Sequence, residues 1–140
     1  MSAAEAARPS VEASTRVLVV DDEPVIRRVI SRTLAGAGFQ VSTASDGPPA
    51  RRLAEVARPD LVLIDVNMPT SGIEIVRRLK KRYGAAIYVA VLTGDDSDAT
   101  RNWCKAAGAD DVFVKPISPI DLRRRMTAAA IVLKALPAVP

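Results

Sequence analysis

Histidine is absent from the 140-residue chain, and cysteine occurs once, at Cys104. The first absence excludes Ser/His and Cys/His nucleophile pairs, histidine metal ligands and phosphorylation on a histidine of this chain. The second excludes an internal disulfide and agrees with a reducing compartment. No apolar run approaches the roughly 20 residues that span a bilayer, so no membrane contact is expected. The first fifteen residues, MSAAEAARPSVEAST, lack the basic start and apolar middle of a secretory signal. These absences point to a cytoplasmic protein whose chemistry runs on carboxylates, hydroxyls, lysine and a metal.

The length suits one domain with a single sizeable core. A net charge of +4 raises the question of nucleic acid, with Arg27, Arg28, Arg51, Arg52, Arg77, Arg78, Lys80 to Arg82 and Arg123 to Arg125 in clusters. The clusters are spread over several predicted helices and interleave with apolar stripes. They read as solvated helix faces, and no direct nucleic-acid contact is expected.

Strand and helix patterns alternate along the chain. Arg16 to Val20 is a short buried-type strand. Pro24 stands at a first helical position, and Val25, Ile26, Val29, Ile30, Thr33 and Leu34 form a stripe that ends at Gly36 and Gly38. Strands are expected at Phe39 to Ala44, Asp60 to Ile64, Ile87 to Leu92 and Val112 to Val114. Helices are expected at Pro48 to Ala57, around Ile75, Val76, Leu79 and Tyr83, and at Ser97 to Ala107. A last helix is capped by Ser118, with Pro119 first and Leu122, Met126, Ala129 and Leu133 as its stripe. Residues 1–15 and 136–140 read as tails, the first disordered.

Five apolar strands alternating with five helices imply a parallel sheet covered on both faces, a doubly wound α/β sandwich. Ligands in such sheets bind beyond the carboxyl ends of the strands. At that edge lie Asp21 and Asp22, Asp65, Thr93, and Lys115 followed by Pro116. Three carboxylates of one sign repel each other unless a cation joins them, by roughly 4 kcal/mol per pair at ~4 Å and an effective dielectric near 20. Oxygen-rich clusters suit a hard divalent cation such as Mg²⁺. A carboxylate can also act as nucleophile and form an aspartyl phosphate, which a metal and a lysine make tolerable.

The segments VLVVDDEP, LVLIDVNMP, VLTG and AGADDVFVKP together resemble the receiver domain of two-component response regulators, of the chemotaxis-regulator type. The resemblance covers Arg16 to about Thr127. It implies a flavodoxin-like three-layer α/β/α sandwich with strand order 2-1-3-4-5 and a receiver domain over residues 16–135. It further implies a bacterial signalling protein rather than an enzyme. Its phosphoryl group would come from a sensor histidine kinase or histidine phosphotransfer protein, and its state would control binding to an output target. On this pattern Asp65 is the phosphoacceptor, and Asp22 is a direct ligand of Mg²⁺ or Mn²⁺, with Asp21 assisting through water. Asn67 lends the metal its backbone carbonyl. Thr93 and Lys115 bind phosphoryl oxygens, and the Lys115–Pro116 bond is expected to be cis. Glu23 is expected to leave the cluster and favour the dipole of the helix that begins near Pro24. Asp110, Asp111 and Arg123 to Arg125 resemble charges through which some receivers form weak homodimers across the fourth helix, fifth strand and fifth helix.

Three departures from the pattern stand out. After Met68 and Pro69 the chain reads TSG, so Gly72 is one position closer to Asp65 than usual and Ser71 replaces an acid. The family's switch aromatic, three residues before the lysine, is Val112, with Phe113 beside it. Gly94 follows Thr93 where alanine is common. Two rival readings stay open: an unphosphorylated receiver-like interaction module, and a dehalogenase-like phosphatase with an Asp nucleophile. The latter family has a second Asp two residues after the first, where this chain has Asn67. Only ALPAVP follows the last helix, so the domain is expected either to act alone or to be part of a longer chain.

Overall fold

The computed structural model describes residues 15–69 and 71–135. The expected tails, apart from Thr15, lie outside the described residues. Thr15 itself is fully buried, and its carbonyl accepts the Gln40 N–H at 3.0 Å, so it belongs to the fold rather than to a tail.

The five strands are β1 (Arg16–Val20), β2 (Gln40–Ala44), β3 (Leu61–Asp65), β4 (Tyr88–Thr93) and β5 (Asp111–Val114). The helices are α1 (Pro24–Gly36), α2 (Gly47–Val56), α3 (Gly72–Tyr83), α4 (Asp98–Ala106) and α5 (Pro119–Ala135), with a short 3₁₀ turn at Gly84–Ala86. All neighbouring strands pair in parallel, in the order β2-β1-β3-β4-β5.

Alternation along each strand sends its side chains to two separate cores. Leu18, Val20, Val62, Ile64, Val89, Val91 and Val112 face α2, α3 and α4, where Ala54, Val76, Leu79 and Cys104 meet them. Val17, Val19, Leu61, Leu63, Ala90, Leu92 and Phe113 face α1 and α5, against Leu34, Leu122 and Met126. The result is a three-layer α/β/α sandwich. Each fully buried Leu, Ile or Val contributes roughly 1.5–3 kcal/mol, so the central strands β1, β3 and β4 anchor the fold. β2 departs from the expectation of an apolar strand: Gln40, Ser42 and Thr43 are exposed because β2 lies at the sheet edge.

Boundaries move by about one residue where pairing decides them. β3 runs on to Asp65 because Asp65 pairs with Leu92, and β4 includes Thr93 because Thr93 pairs with Val114. Both residues are therefore held by the sheet itself.

Candidate functional site

The carboxyl ends of β1, β3, β4 and β5 stop at the same edge. The Val66 N–H donates to the Leu92 carbonyl at 3.1 Å, and the Lys115 N–H to the Thr93 carbonyl at 2.8 Å. Sheet pairing thus runs to the last residue of each strand and places Asp21, Asp65, Thr93 and Lys115 together.

Asp65 is 2% exposed. Its Oδ1 accepts the Asn67 N–H at 2.8 Å, and its Oδ2 accepts from Lys115 Nζ at 3.0 Å. Asp21 is completely buried; its Oδ1 accepts the Glu23 N–H at 2.9 Å. Among the described residues its Oδ2 has no hydrogen-bond partner, and Lys115 Nζ lies 3.7 Å from it. Burial raises the Asp21 pKa. The Glu23 N–H bond and Lys115 oppose that rise, while the charges of Asp65 and Glu23 add to it. For Lys115, desolvation pulls the pKa down, but the bond to Asp65 and the charges of Asp21, Asp65 and Glu23 outweigh it and leave the ammonium strengthened.

One oxygen each from Asp21, Asp22, Glu23 and Asp65 lie within 4.8 Å of one another. Glu23 therefore does not leave the cluster as expected. It is the N-cap residue of α1, makes no side-chain cap bond, and keeps its carboxylate beside the others. Arg27 from the first turn of α1 donates to the Asp21 carbonyl at 2.6 Å and steadies the turn between β1 and α1.

The loop after β3 closes on a glycine. Ser71 caps α3 by accepting the Glu74 N–H at 3.4 Å, taking over where the family pattern has an acid. Gly72 sits so close that a Cβ there would lie 2.4 Å from the Asp65 carbonyl oxygen. The shortened loop is thus accommodated by main chain packed on main chain.

Thr93 is fully buried, and its Oγ1 accepts the Asp95 N–H at 3.0 Å, leaving the hydroxyl hydrogen to donate. Asp95 in turn accepts from Ser97 N at 2.9 Å and Thr100 Oγ1 at 2.8 Å, and these bonds hold its carboxyl below the usual range. The Asn67 side chain reaches across to accept the Gly94 N–H at 3.2 Å. No local periodicity in the sequence signals that contact between two loops.

The Lys115–Pro116 peptide bond is cis. Val112 is buried against the α2–α4 side, whereas Phe113 faces α1 and α5, with the Arg125 guanidinium 4.0 Å from its ring centroid. Moving the aromatic by one position thus moves it to the other face of the sheet. Arg125 also pairs with Asp111 at 3.1 Å, and Asp110 pairs with Lys80 at 3.0 Å. Asp110, Asp111, Arg124 and Arg125, among the charges considered for pairing between copies, make ion pairs within the chain. No described helix is long and apolar enough to cross a membrane.

A family model described as the response regulator receiver domain matches residues 17–127. The alkaline phosphatase synthesis transcriptional regulatory protein PhoP of Bacillus subtilis is 36% identical over 114 residues, covering 81% of this chain and 47% of that protein. The response regulator MprA of Mycolicibacterium vanbaalenii is 40% identical over 114 residues, covering 81% and 49%. The chain spans about half the length of these curated relatives. Among solved structures, the chemotaxis protein CheY4 of Vibrio cholerae superposes with a TM-score of 0.78 at 36% identity, over 82% of this chain and 98% of that one. The BeF₃-activated DrrB receiver domain gives 0.74 at 30% identity, over 82% and 96%.

Proposed function

The chain belongs to the response regulator receiver family of two-component systems, and on that premise we propose that it is a phosphoacceptor switch. Asp65 takes a phosphoryl group from a partner sensor histidine kinase or histidine phosphotransfer protein, and the modified domain, residues 16–135, binds a downstream target. The observation that carries this reading is the buried Asp65 carboxylate. It is held between Asn67 N–H and Lys115, beside an Asp21 oxygen with no hydrogen-bond partner.

A buried acceptor of that kind fits a hard cation, and the donor set is all oxygen. Asp21, Asp22, Asp65 and the Asn67 backbone carbonyl would hold Mg²⁺ or Mn²⁺. When bound, the ion neutralises negative charge on the transferring group. The chain's own residues do the rest. A carboxylate oxygen of Asp65 attacks phosphorus, the P–N bond of the phosphohistidine breaks, and the imidazole leaves as the neutral base with the proton on its other nitrogen. Lys115 Nζ and the Thr93 hydroxyl donate to the phosphoryl oxygens. Asn67 and Asp95 place polar groups near the water that later hydrolyses the acyl phosphate.

Incubation with acetyl phosphate and Mg²⁺ tests the reading. One phosphoryl group per chain, absent in Asp65→Asn, is expected. Many turnovers of an external phosphate ester would instead mean a dehalogenase-like phosphatase. No labelling and no metal binding by any method would leave an unphosphorylated interaction module.

A further inference from the structure

The Asn67 side chain binds the loop after β4 back to the loop after β3. Asn67 donates its backbone N–H to Asp65 Oδ1 and accepts the Gly94 N–H on its side-chain Oδ1. One residue thus touches the phosphoacceptor through its main chain and the residue after Thr93 through its side chain. A second fastening lies just beyond, where Asp95 donates its N–H to Thr93 and accepts from Ser97 and Thr100 at the start of α4.

We propose that the Asn67 side chain is a latch that occupies the Gly94 amide until Asp65 is phosphorylated, and so sets how readily the domain switches. The inference rests on Asp65 being the phosphoacceptor. A phosphoryl group brings charged acceptor oxygens to the site, and hydrogen bonds to charged acceptors are roughly twice as strong as neutral ones. The Asn67 amide oxygen is neutral, and its 3.2 Å contact with Gly94 is solvent-exposed and at the long end of the range. Transfer of the Gly94 N–H from Asn67 to a phosphoryl oxygen is therefore favourable only once that charge is present. Its release uncouples the β4–α4 loop from the β3–α3 loop. The bonded series Thr93, Asp95, Thr100 then carries the displacement into α4, where Trp103 is 44% exposed. With Val112 rather than an aromatic ring facing α4, this hydrogen-bonded series joins the site to that helix through the loop.

Amide exchange by NMR on the full chain in EDTA tests the latch directly. The Gly94 amide should be protected in the wild type and in Asn67→Asp, which keeps an acceptor. It should exchange about threefold to tenfold faster in Asn67→Ala, the factor that a typical net hydrogen bond represents. The thermal midpoint should fall by only a few degrees, the shift that about 1 kcal/mol represents in a domain of this size. Beryllofluoride with Mg²⁺, titrated by NMR, should bind Asn67→Ala tighter by a similar factor, since alanine retains the backbone carbonyl and N–H. Equal Gly94 protection in wild type and Asn67→Ala, or equal beryllofluoride affinity, overturns the latch alone. No beryllofluoride binding to the wild type overturns the phosphoacceptor reading, and the latch with it.

Discussion

Replacing Gly72 with alanine puts a Cβ 2.4 Å from the Asp65 carbonyl oxygen and 2.9 Å from Val66 Cα. Both are main-chain atoms at the end of β3, so neither can rotate away. Ordinary contact begins roughly 1 Å further out, so either the start of α3 or the Asp65 peptide must move by about that much. Overpacking of this kind costs about 1–3 kcal/mol. With a urea m-value of about 1–3 kcal/mol/M, the unfolding midpoint should fall by about 1 M. If the Asp65 peptide is what moves, its carboxylate loses registry with Lys115 and Asn67 N–H, now at 3.0 and 2.8 Å. A misplacement of about 1 Å costs on the order of 10²-fold in rate. Urea unfolding by circular dichroism and the rate of acetyl-phosphate labelling measure the two effects separately. Gly36→Ala is the control, since a Cβ there meets nothing within 4 Å. A Gly72→Ala protein with the wild-type midpoint and labelling rate would refute the argument that this glycine sets the position of Asp65.

Asp21→Asn should stabilise the protein in EDTA by about 1–3 kcal/mol, because it removes the charge on a buried oxygen with no hydrogen-bond partner; a lower urea midpoint would contradict this. The same residue has a pKa above its unfolded 3.8, so its contribution to stability is fully present below that pH and is lost as pH rises through the folded value. In EDTA, acid titration of stability should therefore show a Asp21-dependent loss with rising pH that Asp21→Asn abolishes. Asp95 runs the other way: its lowered pKa makes its contribution present above pH 3.8 and lost as pH falls through the folded value, and Asp95→Ala should speed amide exchange in the first turn of α4. Phe113→Ala should cost about 3–5 kcal/mol, since the ring is fully buried, whereas Arg125→Ala, which removes a partly exposed cation from that ring and from Asp111, should cost about 1 kcal/mol; equal losses in thermal denaturation would mean that the guanidinium carries the packing.

The alternation of strand and helix was legible because apolar residues run unbroken through β1 and β3 and recur every three to four positions in α1 and α5. Strand ends were less so. The apolar run in LVLID stops at Ile64, and it is pairing with Leu92 that carries β3 to Asp65. The composition of QVSTA did not separate an edge strand from a central one, since that depends on having one neighbour or two. Glu23 was assigned to the helix dipole, yet its carboxylate stays beside Asp21 because α1 begins directly over the end of β1. Asp95 stands two residues after Thr93 in the chain, but its bonds to Ser97 and Thr100 follow from how the loop folds back onto α4.

By itself the sequence determined the family, the order of the elements and the identity of the groups at the sheet edge. Hydrophobic periodicity and turn residues act over a few positions, and so they are written in a short stretch of chain. Only the tertiary structure decided which of those groups touch: Asp65 with Lys115 across 50 residues, Asn67 with Gly94 across 27, and Phe113 turned from α4 toward α5. Hydrogen bonds form or fail within a few tenths of an ångström, and such distances depend on strand register and main-chain packing that no local pattern encodes.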